Sequence, residues 1–560
     1  MTRRQPIVYV GLDACDPTVA RELVAAGSMP NLARLLDESS RCRIDNPFGF
    51  FVGALWVSFA TSLRTARHGF HCWDKILPGT YERQLSPPRV SQFPSFWEQL
   101  SDAGYKVAAI DVPHRRAVAP LNGLEIVEWG CHDRHFGFHA SSNACAAEIE
   151  NKYGHHPVLG INGRGPGDFA PDDWAHRTVK YRNLEQEKAL LRDLCAGAQT
   201  KTQITLDLLE RRDWDFFVSV FGESHAIGHQ QWHLHDPNHP RFDPEVAAAL
   251  GGDPLAQVYG ILDAAIGEIA ARVPDDALLL VHLSHGMGAH YDATHMLDEI
   301  LARIDGSQTG SSPSTRFPDR VKRAVWPLVG PVGRIARAVR VPAALRARVA
   351  RVVAVQEHAT PEARASQRFF SEPNNSVYGG IRFNLAGREP NGRVRTDEIE
   401  ELSAQLEEDL MAIRDRDTGE PIVRALIPTS LHHDRRDDDA MPDLLVDWTR
   451  AGQVSAVTSA KIGEVHAPYQ GWRSGDHRPD GLLLARGCSL AAGEEWPSIA
   501  VEDIGPSIAS RLGVKLQGVD GQAVRWLTTP DIPEGGPTQT QSAALRMSNS
   551  KRRTGRTAKG

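Results

Sequence analysis

The stretch Gln5-Pro-Ile-Val-Tyr-Val-Gly-Leu-Asp13-Ala-Cys15 decides the fold. From Ile7 to Leu12 no charged side chain interrupts it, and Tyr9 alone carries a polar atom. A strand with one wet face alternates polar and apolar residues; an unbroken apolar run marks a strand covered on both sides, as in a parallel sheet between helices. Chemistry in such sheets gathers at the carboxyl ends of the strands, and Asp13 stands at this one. On local sequence alone, Asp13 reads first as a helix N-cap or turn aspartate. Strand-like runs at Ile7–Val10, Val107–Ile110, Phe216–Val220 and Leu278–Leu283 alternate with helical stretches that include Phe96–Ala103 and Leu184–Arg211. This alternation predicts an α/β fold, a mainly parallel sheet sandwiched by helices. Asp503–Leu512 is expected to be a closing helix, with Asp503 as its cap and Gly513 just past its end.

Two segments far apart carry histidines in a pattern that suits a transition metal: Glu223-Ser-His225-Ala-Ile-Gly-His229 and Gly475-Asp-His477-Arg-Pro-Asp480. A third, Leu283-Ser-His285-Gly-Met287, follows an apolar run. Neutral imidazoles bind zinc-like ions well, and spacing of four residues puts two of them on one helical face. The chain has 23 histidines, so one such spacing arises by chance and needs its context.

That context is a resemblance. Gly11-Leu-Asp13, Met29-Pro-Asn-Leu32, Trp56-Val-Ser-Phe-Ala-Thr-Ser-Leu63 and His68-Gly69 resemble the amino-terminal half of alkaline-phosphatase-superfamily hydrolases. The nearest branch is the type I phosphodiesterase/nucleotide pyrophosphatase group with its bacterial phosphohydrolase relatives. Ser284-His285-Gly286-Met287 is similar to that group's Asp-His-Gly-Met segment, and Asn374 through Pro390 to a segment of the bacterial enzymes. Pro442-Asp-Leu444, His477-Arg-Pro-Asp-Gly-Leu-Leu483 and Asp503 through Gly521 follow in the same order.

The resemblance implies an alkaline-phosphatase-like fold with a bimetallic site, usually two zinc ions, and a Thr or Ser nucleophile. Carried over by position, it places one metal on His225, His229 and His477, with His225 standing where the family has an aspartate. It places a second, weaker metal on Asp13 and His285, with Ser284 in place of the other aspartate. The nucleophile falls at Val52, which has no nucleophilic atom. Losing an anionic ligand and a bridging oxygen weakens a dication's hold. Ser58, Thr61 and Glu223 are therefore weak candidates for the catalytic role, and Glu223, Asp16 or His290 for a missing ligand. One zinc on three histidines that activates water is another solution, with Glu223 or Asp476 as base. Sulfatase-type oxidation of Cys72 is rejected because the required Cys-x-Pro-x-Arg is absent; Cys72 reads as a small buried hydrophobe. Lys75 in the same loop reads as solvated, with contact to a phosphate as the alternative.

Composition agrees with a large enzyme. The chain has 560 residues, 41% of them hydrophobic, enough for a sizeable core. A net charge of −7 gives no argument for nucleic acid. Seven scattered cysteines give no disulfide framework, and no h-region precedes the first strand, so a cytoplasmic location is expected. Trp232-His-Leu-His-Asp-Pro-Asn-His-Pro240 reads as a loop, and His233, His235 and His239 as loop and surface residues, with substrate contact as the alternative.

The expected organisation is a hydrolase core over residues 1–304 and 476–530, a basic helical insertion at 305–370, a smaller subdomain at 371–475 and a disordered basic tail at 531–560. Within the insertion, residues 316–351 hold ten basic side chains against Asp319 alone. Such a segment suits a lid over an anion, a membrane-surface contact or a solvated helical face. The function expected is metal-dependent hydrolysis or transfer at a phosphate ester or phosphodiester of a small anionic substrate. The rivals are a non-catalytic metal or phospho-ligand binding protein on the same scaffold, and a membrane-surface protein using residues 316–351.

Overall fold

The computed structural model describes residues 5–528 apart from 73, 86–92, 119, 132–135, 159–181, 212–213, 307–358, 375–376, 435–440, 470, 472 and 488–489. The basic stretch at 316–351 and the tail at 531–560 lie outside the described residues, so the expectations placed on them stand where the sequence left them.

The opening stretch forms the strand Ile7–Leu12, buried at every position. It pairs in parallel with Phe216–Phe221 on one side and Leu278–Leu283 on the other. Nine strands make the sheet, in the order Glu495–Ala500, Ser40–Asp45, Gly481–Arg486, Leu278–Leu283, Ile7–Leu12, Phe216–Phe221, Val107–Ile110, Gly123–Val127 and His139–Ala140. The central five run parallel. Gly481–Arg486 turns antiparallel against two neighbours, and His139–Ala140 closes the far edge antiparallel.

Both faces are covered, which explains the unbroken apolar run. Val8, Val10 and Leu12 pack on one face against the helices Leu184–Glu210 and Pro254–Ala270. Ile7 and Tyr9 pack on the other against Phe51–Thr61, Phe96–Asp102 and Ile504–Arg511. Each such fully buried aliphatic side chain contributes on the order of 1.5–3 kcal/mol. Gly11 has a steric reason: a Cβ there would lie 2.7 Å from the Trp56 ring, which crosses the strand at that point.

A four-stranded antiparallel sheet, Phe369–Glu372, Tyr378–Phe383, Leu444–Trp448 and Val423–Pro428, has its own core with the helices Leu297–Ile304 and Ile399–Met411. Among the described residues no helix is long and apolar enough to cross a membrane.

Two local expectations are corrected. Asp503 ends a 3-10 turn at the N-cap position of Ile504–Arg511, but its side chain makes no cap bond to that helix; its carboxylate accepts from Gln522 N at 2.7 Å and Ala500 N at 3.3 Å. Trp232–His235 is not loop but the end of the helix Glu223–His235. Tertiary packing extends that helix through a polar sequence, because the segment is enclosed on every side.

Candidate metal centre

Leu12 lies in register with Phe221 and Leu283, so the residues after these three strands meet at one edge of the sheet. Asp13 N donates to Phe221 O at 2.8 Å and Ser284 N to Leu12 O at 3.1 Å. The helix Glu223–His235 starts two residues after its strand, and every residue from Glu223 to Leu234 is buried. A helix with polar residues all round belongs in an interior only where those residues have specific partners. His225 and His229 point from successive turns of it. His477 comes from the short strand Gly475–Arg478, paired antiparallel with Gly286–Ala289 so that it stands opposite Met287. The strand and helix touch closely: a Cβ on Gly475 would fall 2.2 Å from Gly228 O.

The protons in this cluster can be placed by their acceptors. His225 Nδ1 lies 2.7 Å from Asp13 Oδ2, and His229 Nδ1 lies 2.8 Å from Gly475 O. A carboxylate and a carbonyl only accept, so both Nδ1 atoms carry hydrogen. Their Nε2 atoms then present lone pairs to each other at 3.0 Å. Two ligand nitrogens on a tetrahedral zinc at about 2.0–2.1 Å would sit about 3.3 Å apart, close to the observed spacing. The His477 ring completes the group, its centroid 4.7 Å from that of His225 and 4.6 Å from that of His229. Neither ring nitrogen of His477 has a hydrogen-bond partner among the described residues, and both are buried. Burial, and then the neighbouring imidazoles, hold His477 well below the usual histidine range, so it is neutral.

The second set of positions is differently disposed. Ligand atoms of Asp13, His225 and His285 also converge, but the Asp13 carboxylate is engaged. Besides His225 it accepts Trp56 Nε1–H at 2.7 Å and the Ser284 hydroxyl at 3.3 Å. Burial pushes this carboxyl up, yet His225, His285 and Trp56 outweigh it and keep Asp13 ionised. His285 Nε2 is 3.8 Å from Asp13 Oδ1, and the Phe51 ring stands edge-on to His285 at 5.6 Å. Val52 follows in the first turn of Phe51–Thr61, packed on the cluster that includes Phe50 and Phe51.

The weak catalytic candidates each have other partners in the structure. Ser58 Oγ accepts from His68 Nε2 at 2.9 Å, because His68 Nδ1 takes the Phe70 N–H and leaves the ring proton on Nε2. Thr61 Oγ1 donates back to Val57 O in its own helix. Glu223 is fully buried and paired with His156 at 3.1 Å. Asp16, considered as a repair ligand, caps Pro17–Ala25 and accepts from Met287 N at 2.9 Å. His233 and His239 are buried and His235 is half-buried. His233 contacts Ser474 Oγ at 3.0 Å, His235 pairs with Asp253 at 2.7 Å, and His239 accepts from Arg241 N at 3.0 Å. Cys72 is buried, as expected.

Sequence reading missed the support beneath the histidine helix. Lys201, without solvent exposure, donates to Val220 O at 2.6 Å and pairs with Asp111 at 2.5 Å. Burial pulls its pKa down, but Asp111 and Glu223 outweigh that and raise it. The signal was present: Lys201 falls in line with Leu194, Ala198, Thr205 and Leu208 on the buried face of its helix.

The family model for type I phosphodiesterase / nucleotide pyrophosphatase matches residues 7–479. The chain belongs to this family. Among solved structures, this phosphodiesterase-family chain is similar to phosphonoacetate hydrolase from Sinorhizobium meliloti, solved with phosphonoacetate. Identity there is 13%, coverage 88% of this chain and 91% of that one, with a TM-score of 0.43. It is also similar to murine ectonucleotide pyrophosphatase/phosphodiesterase 5, at 11% identity, 92% and 98% coverage and a TM-score of 0.43. No curated protein sequence matches it.

Proposed function

We propose that this family member is a metal-dependent hydrolase of a small anionic phosphate ester or phosphodiester, with one ion, zinc by its donor set, on His225, His229 and His477. The observation that carries this is the buried, neutral His477 ring, both nitrogens without a hydrogen-bond partner among the described residues, facing two Nε2 atoms whose Nδ1 protons are already committed. A buried polar atom without a partner costs about 1–3 kcal/mol, which an ion at this point removes. A zinc ion so held supplies Lewis acidity and lowers the pKa of water from 15.7 to roughly 7.

The chain's own residues do the rest. Asp13 holds the Nδ1 proton of His225 and so fixes its ring; the Gly475 carbonyl does the same for His229. Trp56 and Phe51 wall the site with apolar surface. A second ion on Asp13 and His285 is the poorer site in this reading, because the Asp13 carboxylate already accepts from His225, Trp56 and Ser284 and Ser284 replaces a charged ligand. With Val52 apolar and Ser58 and Thr61 tied elsewhere, water is the attacking group rather than a side chain. The division into core, insertion, smaller subdomain and tail is proposed with this reading. So is a cytoplasmic setting.

His477→Ala tests the proposal. Expected is loss of one metal equivalent per chain by elemental mass spectrometry, together with loss of bis-p-nitrophenyl phosphate turnover. Metal loss in a wild type that never turned over any phosphate ester would favour the binding-protein reading. Turnover that survives His477→Ala would overturn the site.

A further inference from the structure

A second group of ligand atoms lies beside the histidine cluster: His290, Asp292 and Asp476, all buried. His290 Nε2 is 3.0 Å from Asp292 Oδ2 and 3.3 Å from Asp476 Oδ2. The hairpin places them there, since His290 N donates to Ser474 O at 3.0 Å and Gly288 pairs with Asp476.

The other atoms of the two carboxylates have partners outside the group. Asp476 Oδ1 accepts the His477 N–H at 2.8 Å and lies 3.5 Å from Arg473 Nη1. Asp292 Oδ1 accepts the Thr294 N–H at 2.8 Å. The His290 ring packs on Tyr469 with centroids 4.2 Å apart. What remains, Oδ2 of each aspartate and Nε2 of the histidine, converges on one point. Asp476 Oδ2 is buried and has no hydrogen-bond partner among the described residues, although the side chain is only 3% exposed. The guanidinium of Arg478 does not fill the gap, because it donates to His477 O and Ala289 O, both at 2.9 Å.

We propose that His290, Asp292 and Asp476 form a second divalent-metal site, separate from Asp13 and His285 and adjoining the three-histidine site through the Asp476–His477 peptide. Two carboxylates balance the charge of a dication, and one imidazole with two oxygens suits manganese or zinc. Ligands whose far atoms are held by other groups are the usual arrangement at metal sites. The competing arrangement is an imidazolium held between two carboxylates, which would bind nothing. The proposal does not depend on the hydrolase reading, because its site shares no ligand with His225, His229 and His477.

The experiment uses the full chain, stripped by chelator and titrated with Mn2+ alone, with bound metal counted by elemental mass spectrometry. Expected are two equivalents in the wild type. One should be lost, or weakened roughly tenfold or more, in His290→Ala and Asp292→Asn, and the other in His229→Ala. Loss on His229→Ala with no change in Asp292→Asn overturns this site and leaves the histidine site standing; the reverse pattern overturns the histidine site alone. Should Asp292→Asn fail to fold by circular dichroism, the wild type decides through anomalous scattering from Mn2+-soaked crystals. A peak bounded by His290, Asp292 and Asp476 supports the site, and its absence at saturating Mn2+ refutes it.

Discussion

Asp13→Asn separates two roles for the carboxylate at the end of the first strand. In the proposed arrangement Asp13 binds no metal but holds the Nδ1 proton of His225 at 2.7 Å and receives Trp56 Nε1–H at 2.7 Å and Ser284 at 3.3 Å. Asparagine keeps the shape and one acceptor oxygen. It loses the charge and turns an N–H2 toward groups that also donate. Its effect should therefore be that of removing a group behind a ligand: a drop in metal affinity of about 10- to 100-fold, or about 1.4–2.7 kcal/mol. The equivalent to follow is the one that His229→Ala abolishes. Competition against a chromophoric chelator near neutral pH gives its affinity, and elemental mass spectrometry gives the stoichiometry. If Asp13 were a direct ligand to an ion shared with His285, a whole equivalent would vanish while the His229-dependent one stayed tight. That outcome, or an affinity unchanged within the error of the titration, refutes the reasoning.

Three further predictions address the surroundings. Ser58→Ala should leave phosphodiester turnover within about twofold of wild type while lowering stability by roughly 1 kcal/mol through the lost bond to His68; abolished turnover would restore Ser58 as nucleophile. Lys201→Met should cost about 3–5 kcal/mol in denaturant unfolding, because it strands the buried carboxylates of Asp111 and Glu223 without their cation; a change under about 1 kcal/mol would show that water reaches them. Burial pushes the Glu372 carboxyl up to about 7, despite Arg382 and the Ile76 N–H beside it. The folded chain thus keeps a proton that the unfolded chain has released. This contribution is full below the unfolded value of about 4.3 and is lost as pH rises through about 7. Glu372→Gln should flatten the fall of melting temperature between about pH 5 and about pH 8, and an unaltered slope would exclude Glu372 as its source.

The sheet and the histidine pair were legible because their signals are local. Ile7–Leu12, Val107–Ile110, Phe216–Phe221 and Leu278–Leu283 each show burial on both faces as an apolar run, and His225 and His229 lie one helical turn apart. His477 was found only by resemblance, since no local pattern links it to a helix some 250 residues earlier. The loop reading of Trp232–Pro240 held from Asp236 onward; Trp232–His235 instead extends the helix, because Ser474 and Asp253 supply partners for its histidines from other elements.

The sequence by itself determined the class of fold, the edge of the sheet where chemistry collects and the residue types gathered there, because periodicity and composition act over a few residues. Only the tertiary structure decided how those residues are used. It gave the Asp13 carboxylate to Trp56, 43 positions away, and to His225, 212 positions away. It tied Ser58 to His68, put Lys201 beneath the histidine helix and gathered His290, Asp292 and Asp476 around one point. Hydrogen bonds and ion pairs fix a buried polar group's role by which partner comes within about 3 Å, and that distance is set by packing between elements, which no local pattern encodes.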